Sequence, residues 1–266
     1  MKENKIPRSI SPIFETHVHL DYLKKNEMVD VIQKSEDVGV DKFITMSCSP
    51  DNQDTVLSIA GRFDNVWCTQ GIHPHDARLW DLKTRETILR NVESDKVKAI
   101  GEIGLDYHYD NSPRDIQRKV FDEQLQIASD QNLPVIVHTR EAEDDTISVL
   151  KNHLGKIKKI EIHCFTSSMQ MAEFALGNGF YLGFNGIITF KPAENVREIL
   201  RITPPEQILL ETDAPFLAPN PVRGKENAPF YLPFISKRVA EIKETSEEKL
   251  LPIIYQNSMS FFEITL

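Results

Sequence analysis

Short runs of apolar, largely β-branched residues alternate along the chain with longer stretches whose apolar positions recur at helical spacing. The runs are PIFETHVHL, DKFITMSC, NVWCTQGIH, VKAIGEIGLD, LPVIVHTR, KIKKIEIHCF, GFYLGFNG and EQILLETDAP. Each predicts a strand, and their C-terminal ends fall near residues 17, 46, 73, 102, 138, 163, 185 and 213. The intervals lie near the ~30 residues of a strand–helix–strand unit. Between the runs, EMVDVIQKSEDVG, SPRDIQRKVFDEQLQIASDQN, SMQMAEFALGNG and AENVREILRI predict helices. In the longest, Ile116, Val120, Phe121, Gln124 and Ile127 follow helical steps, with Ser112 as the expected N-cap and Pro113 in the first turn. Eight units in series predict a single α/β domain, a (β/α)8 barrel over residues 12–266 behind an N-terminal tail of residues 1–11. Two amphipathic helices after Asp213 would complete the outer ring. A doubly wound open sheet is the alternative arrangement of the same units.

Composition narrows the class. With 266 residues, 40% hydrophobic and 27% charged, the chain sits among folded globular proteins and away from disordered or fibrous ones. No apolar run approaches the ~18 residues of a membrane span. The start, MKENKIPRSISPI, lacks the apolar segment of a signal peptide. Cys48, Cys68 and Cys164 are odd in number and far apart, which writes neither a disulfide framework nor a zinc knuckle. The expectation is a soluble cytoplasmic protein. The net charge of −9 argues against a protein that coats nucleic acid through a broad basic surface. It leaves open an enzyme that grips one polyanion end through bound metal.

Six of the eight histidines, His17, His19, His73, His75, His138 and His163, fall at or just beyond predicted strand ends. Active sites of such barrels are built there. His17 and His19, two apart in a strand, project to one face. Glu102 and Asp213 end otherwise apolar runs, where a carboxylate is costly unless paired or bound to a cation. Glu211 shares the parity of Asp213 and would lie one layer deeper. Nitrogen and oxygen ligands from strands 1, 4, 5, 6 and 8 describe a pair of divalent cations sharing a carboxylate. Cys164 would point away from His163 as a buried filler. His108 and His153 read as surface residues, and the charges of KIKKIE as a solvated face.

ETHVHL, GIHPH, GEIGLDY, SPRDIQRKVFDEQL, LPVIVHTR, HCFT, ETDAPFLAP and RGKENAPFYL, in this order from about residue 12 to the C-terminus, resemble the TatD family of metal-dependent deoxyribonucleases. The resemblance implies a TIM-barrel hydrolase with one or two divalent metals that cleaves DNA, often as a 3′-to-5′ exonuclease. It implies no membrane and no obligate protein partner. Carried across by motif, His17 and His19 hold one metal with Asp213, Glu102 bridges, and His138 and His163 hold the second. His73 would line the cleft and contact substrate phosphate, with Glu211 as a partner behind the ligands. Two positions depart from the family pattern: Glu15 stands where Asp is usual before T-H-x-H, and Ser167 where Gly often follows HCFT. Mg²⁺, Mn²⁺ and Zn²⁺ all suit such ligands.

The chemistry this suggests is in-line attack on phosphorus by a water acidified by the two ions, with Asp213 taking its proton and Glu102 sharing its charge between the ions. Arg140, Arg223 and Lys225, beyond strands 5 and 8, are candidate phosphate contacts. Phe216 and Tyr107 are candidate stacking partners for a base. Two other readings use the same barrel. One is a hydrolase of amides, lactones or esters, against which stands Glu102 in place of the carboxylated lysine that bridges metals in many amidohydrolases. The other is a non-catalytic metal-binding barrel, against which stands the complete ligand set.

Overall fold

A computed structural model describes residues 5–265. Residues 1–4 of the expected tail, and residue 266, lie outside the described residues. Eight strands, β1 (Ile13–Val18), β2 (Val40–Thr45), β3 (Val66–Gln70), β4 (Val97–Asp106), β5 (Val135–Arg140), β6 (Ile160–Ile162), β7 (Tyr181–Phe184) and β8 (Ile208–Leu210), pair in parallel and in sequence order. The sheet curls nearly closed. Val18 bridges Ala214, Thr16 Oγ1 donates to Leu210 O at 2.9 Å, and the amides of Asp213 and His19 donate to His17 O and Ala214 O. That closure gives the (β/α)8 TIM barrel and rules out the doubly wound sheet.

Helices α1 (Met28–Asp37), α2 (Gln53–Gly61), α3 (Leu82–Asn91), α4 (Arg114–Gln131), α5 (Glu143–Lys151), α6 (Met169–Gly177), α7 (Glu194–Ile202), α8 (Leu232–Ile242) and α9 (Glu247–Phe261) follow the strands. Their ends obey local chemistry: Asp81 caps α3 by accepting from Thr84 N at 2.7 Å, and Asn132 closes α4 at φ +56°. Helix α4 buries Val120, Phe121, Gln124, Leu125 and Ile127 against the strands. The Gln124 amide is satisfied there, accepting from Ile72 N and donating to Ile72 O. The helix starts later than the sequence suggests, with Pro113 at the N-cap. Ser112 is occupied elsewhere, its hydroxyl accepting from Arg78 N and donating to His75 O. His153 is buried rather than at the surface, with Nε2 2.7 Å from Asp122 Oδ1.

The barrel interior is layered. At one end Phe14, Ile44, Ala99, Ile136 and Leu209, from five strands, form an apolar plug with Phe261 and Phe262 of the α9 terminus. Two residues further along β5 stands His138, and beyond β8 stand Glu211 and Asp213, so parity puts polar groups directly above the plug. Residues leading into β1 are tied to the rim at the plug end, away from the polar groups, where Ser9 N donates to Val38 O and Ile13 N to Gly39 O. Among the described residues, no helix is long and apolar enough to cross a membrane.

Candidate metal centre

Glu102 is buried on β4 and faced by four imidazoles. Its Oε1 lies 2.9 Å from His138 Nδ1, 3.0 Å from His163 Nε2 and 3.4 Å from His73 Nε2. Its Oε2 lies 3.4 Å from His17 Nε2. These rings arrive from β1, from beyond β3, from β5 and from beyond β6. The strands must approach closely, and Gly104 permits it: a Cβ there would lie 1.9 Å from His138 O, and its φ of +143° is open to glycine. Past β8 the chain turns at Asp213, whose φ of +57° is unusual for a non-glycine residue. Its Oδ1 sits 3.3 Å from His19 Nε2 and 3.9 Å from His17 Nε2.

Among the described residues, three donor groups each bring one ligand atom per residue within 4.8 Å of one another: His17, His19 and Glu102; His73, Glu102 and His138; and His17, His163 and Glu211. Among the described residues neither buried ring nitrogen of His17 finds a well-aligned hydrogen-bond partner, although Nε2 lies 3.4 Å from Glu102 Oε2. Orphaned imidazole nitrogens beside buried carboxylate oxygens are what a divalent cation would satisfy, so the residues present fit such ions.

Electrostatics agree. Burial opposes ionisation of Glu102, but His163, His73 and the hydrogen bond from His138 hold its carboxyl well below the usual range. Burial likewise opposes charge on His163, yet Glu102 and Glu211 raise it well above 6.5. His19 and His138 are raised through Asp213, Asp106 and Glu102 against the same burial. Burial lowers His17, and pushes His73 down to about 4. Asp213 stays below its usual range because His19, His163 and His17 outweigh burial. Without metal, protons hold positions that an ion would take.

Sequence reasoning left Asp106 and Cys48 out of the site and turned Cys164 the wrong way. Asp106 is buried on β4, with Oδ2 3.0 Å from His75 Nε2 and 3.1 Å from His138 Nε2. It fixes the outer nitrogen of a ring whose inner nitrogen faces Glu102. Its signal was available, since Asp106 shares the parity of Glu102 once β4 extends four residues further. Cys48 Sγ lies 3.7 Å from both His19 Nδ1 and Glu102 Oε2. Cys164 does not turn away: at φ +47° it leaves strand geometry, lines the cavity and donates its amide to Glu211 Oε1 at 2.8 Å. Glu211 also accepts from Asn185 Nδ2 and lies 3.5 Å from His163 Nδ1. Glu15 reaches back to accept from His17 N and Thr212 N, and burial pushes its carboxyl up to about 8.

Glu161 departs most from expectation. KIKKIE is not a solvated face at its end, because Glu161 is fully buried and, among the described residues, neither carboxylate oxygen has a hydrogen-bond partner. Space for it comes from Gly183, where a Cβ would lie 2.7 Å from Glu161 Oε1 and 2.6 Å from Glu211 Oε2. Burial and the charge of Glu211 raise the Glu161 carboxyl well above 4.5. The folded chain then keeps a proton that the unfolded chain releases near 4.5, so this residue makes stability fall as pH rises from there toward its folded value. Glu161→Leu is expected to stabilise the metal-free protein by about 1–4 kcal/mol at neutral pH, and by less near the unfolded value. Urea titrations at two pH values check both the sign and the trend.

The cluster opens to solvent through a cavity of about 640 Å³ that Arg140 and Phe216 also line. Arg223, Lys225 and Tyr107 are not among its lining residues. The Arg223 guanidinium instead lies 4.3 Å from the Phe190 ring centroid, and the Tyr107 hydroxyl donates to Asp145. His108 is partly exposed and paired with Glu141.

Comparison with known proteins accords with this geometry. The sequence profile of a family described as TatD related DNase matches residues 14–263. The chain is 34% identical to the uncharacterized metal-dependent hydrolase YabD of Bacillus subtilis, over 95% of this chain and 99% of that protein. It is 34% identical, over 88% of this chain and 93% of the relative, to a protein of Erwinia tasmaniensis named 3′-5′ ssDNA/RNA exonuclease TatD. The crystal structure of YJJV, a TatD homolog from Escherichia coli, superposes with a TM-score of 0.88 at 28% identity, covering 95% of this chain and 98% of that one. The barrel, its buried histidine–carboxylate cluster and a match spanning nearly the whole chain establish that this protein belongs to the TatD family of metal-dependent hydrolases.

Proposed function

We propose that this chain, with residues 12–266 acting as one domain, is a divalent-metal-dependent deoxyribonuclease that removes nucleotides from the 3′ end of DNA. The observation that carries the reading is Glu102, faced by four imidazoles beside the His19–Asp213 pair, in an open cavity at the C-terminal ends of the strands. Relatives named as exonucleases support the substrate class. His17, His19 and Asp213 would hold one ion, His138 and His163 the other, and Glu102 both. When bound, such ions supply an acidified water and positive charge for the phosphate oxygens. The protein supplies the rest. Asp213, ionised and at the cavity wall, accepts the proton of the attacking water. His73, uncharged near neutrality, can donate a hydrogen bond to a phosphate oxygen. Asp106 and Glu211 hold His138 and His163 from behind. Three free cysteines suit the reducing cytoplasm that the sequence suggests.

The test is hydrolysis of end-labelled single- and double-stranded oligonucleotides by chelator-stripped protein given Mg²⁺, Mn²⁺ or Zn²⁺. Stepwise shortening from the 3′ end that requires the ion is expected. Intact DNA under every cation, with metal bound, would move the assignment to small esters and amides.

A further inference from the structure

Tyr109 and Phe216, 54% and 51% exposed, are the two aromatic residues left exposed among the described residues. Both line the cavity over the metal centre. Exposed apolar surface costs free energy, and two rings sharing one cavity mouth point to a partner that covers them there. Their positions are opposed. Tyr109 follows β4 and Phe216 follows β8, and in an eight-stranded barrel these strands stand across the axis from each other.

Each ring is fastened to the site. Tyr109 N donates to Asp106 Oδ1 at 2.9 Å. Its ring meets the His75 ring edge-on at 5.2 Å, and the Arg140 guanidinium lies 4.9 Å from its centroid. Phe216 N donates to Asp213 O at 2.9 Å, and its carbonyl accepts from the buried Asn227 Nδ2 at 2.6 Å. Its ring stands edge-on to His19 at 5.8 Å. Rings held this way lose little freedom when a flat ligand stacks on them.

We propose that Phe216 and Tyr109 are base-stacking platforms on opposite walls of the cavity, holding the bases of the two nucleotides that flank the scissile phosphate. This rests on the nuclease reading above. Stacking is tolerant of sequence because every base has a π-face. It also requires that both bases be unpaired, so a duplex end must fray before it can enter. Arg140 acts with Tyr109, backing that ring and adding a cation near the phosphate.

The test uses single-stranded oligonucleotides that are intact or carry one abasic residue at the terminal or the penultimate position. Phe216→Ala and Tyr109→Ala should each raise KM on the intact strand by about 10- to 100-fold, with kcat changed less. Removing one base should cancel the effect of Phe216→Ala, and removing the other that of Tyr109→Ala. Phe216→Tyr and Tyr109→Phe, which keep a ring, should restore KM. An alanine variant impaired equally on intact and abasic strands is acting through the fold, and an unmoved KM means no stacking; either result overturns the platforms alone. If the wild-type protein cleaves no oligonucleotide with any ion, the nuclease reading and the platforms fall together.

Discussion

Glu102→Gln is expected to abolish binding of both ions and to lower the rate of DNA hydrolysis by about 10³-fold or more, equivalent to ~4 kcal/mol of activation free energy. The substitution keeps the size of the side chain and removes its charge. In the metal-free protein that charge faces His17, His73, His138 and His163 within 3.4 Å. It is also the largest attractive influence raising His163. If Glu102 is shared between two ions as proposed, a neutral amide in its place weakens both sites, and metal content should fall as a pair. Mass spectrometry of metal retained after equilibrium dialysis reads this directly, alongside the gel assay. A variant holding two equivalents of metal at wild-type affinity would show that Glu102 is not the shared ligand.

The same residue marks how far the sequence was legible. Strand alternation and the clustering of histidines at strand ends singled out His17, His19, Glu102, His138, His163 and Asp213, because each lies in a strand or within three residues of its C-terminal end. Groups that depend on where a strand ends, or on how a turn is shaped, were not legible. Taking β4 to end at Glu102 hid Asp106, four residues on in the same strand. Parity failed for Cys164 because its left-handed backbone rotates the chain immediately after β6. Tyr107 was singled out as a stacking partner and Tyr109 was not, but the turn held by Asp106 sends Tyr109 to the cavity while Tyr107 pairs with Asp145. Glu161 has the parity of His163 and could have been placed inside. Its neighbouring lysines concealed it, since a charged run is ordinarily a solvated face. Arg223, in a loop rich in proline, carried no periodic signal, and its stacking on Phe190 is a tertiary contact.

Asp213→Asn should separate proton transfer from metal binding. At saturating metal it is expected to lower kcat by about 10²–10⁴-fold, the usual worth of a positioned base, while Glu102 and the four histidines proposed as ligands remain. The pH profile carries the sharper distinction. His19, His163 and His17 outweigh burial and hold the Asp213 carboxyl below its usual range. A base must be deprotonated to act, so its activity is lost only as pH falls through that depressed value. Asp213 therefore imposes no limb on the wild-type profile near neutrality. Once the amide replaces it, the water must lose its proton to solvent, and the rate should rise about tenfold per pH unit below the acidified water's own pKa, about 7 for a strongly polarised water, and level off above it. Weaker metal binding alone would give a different pattern, a lower apparent affinity that added metal overcomes without a new slope. A variant as fast as the wild type at saturating metal below and above that pKa would take the proton-accepting role away from Asp213 and leave it as a ligand.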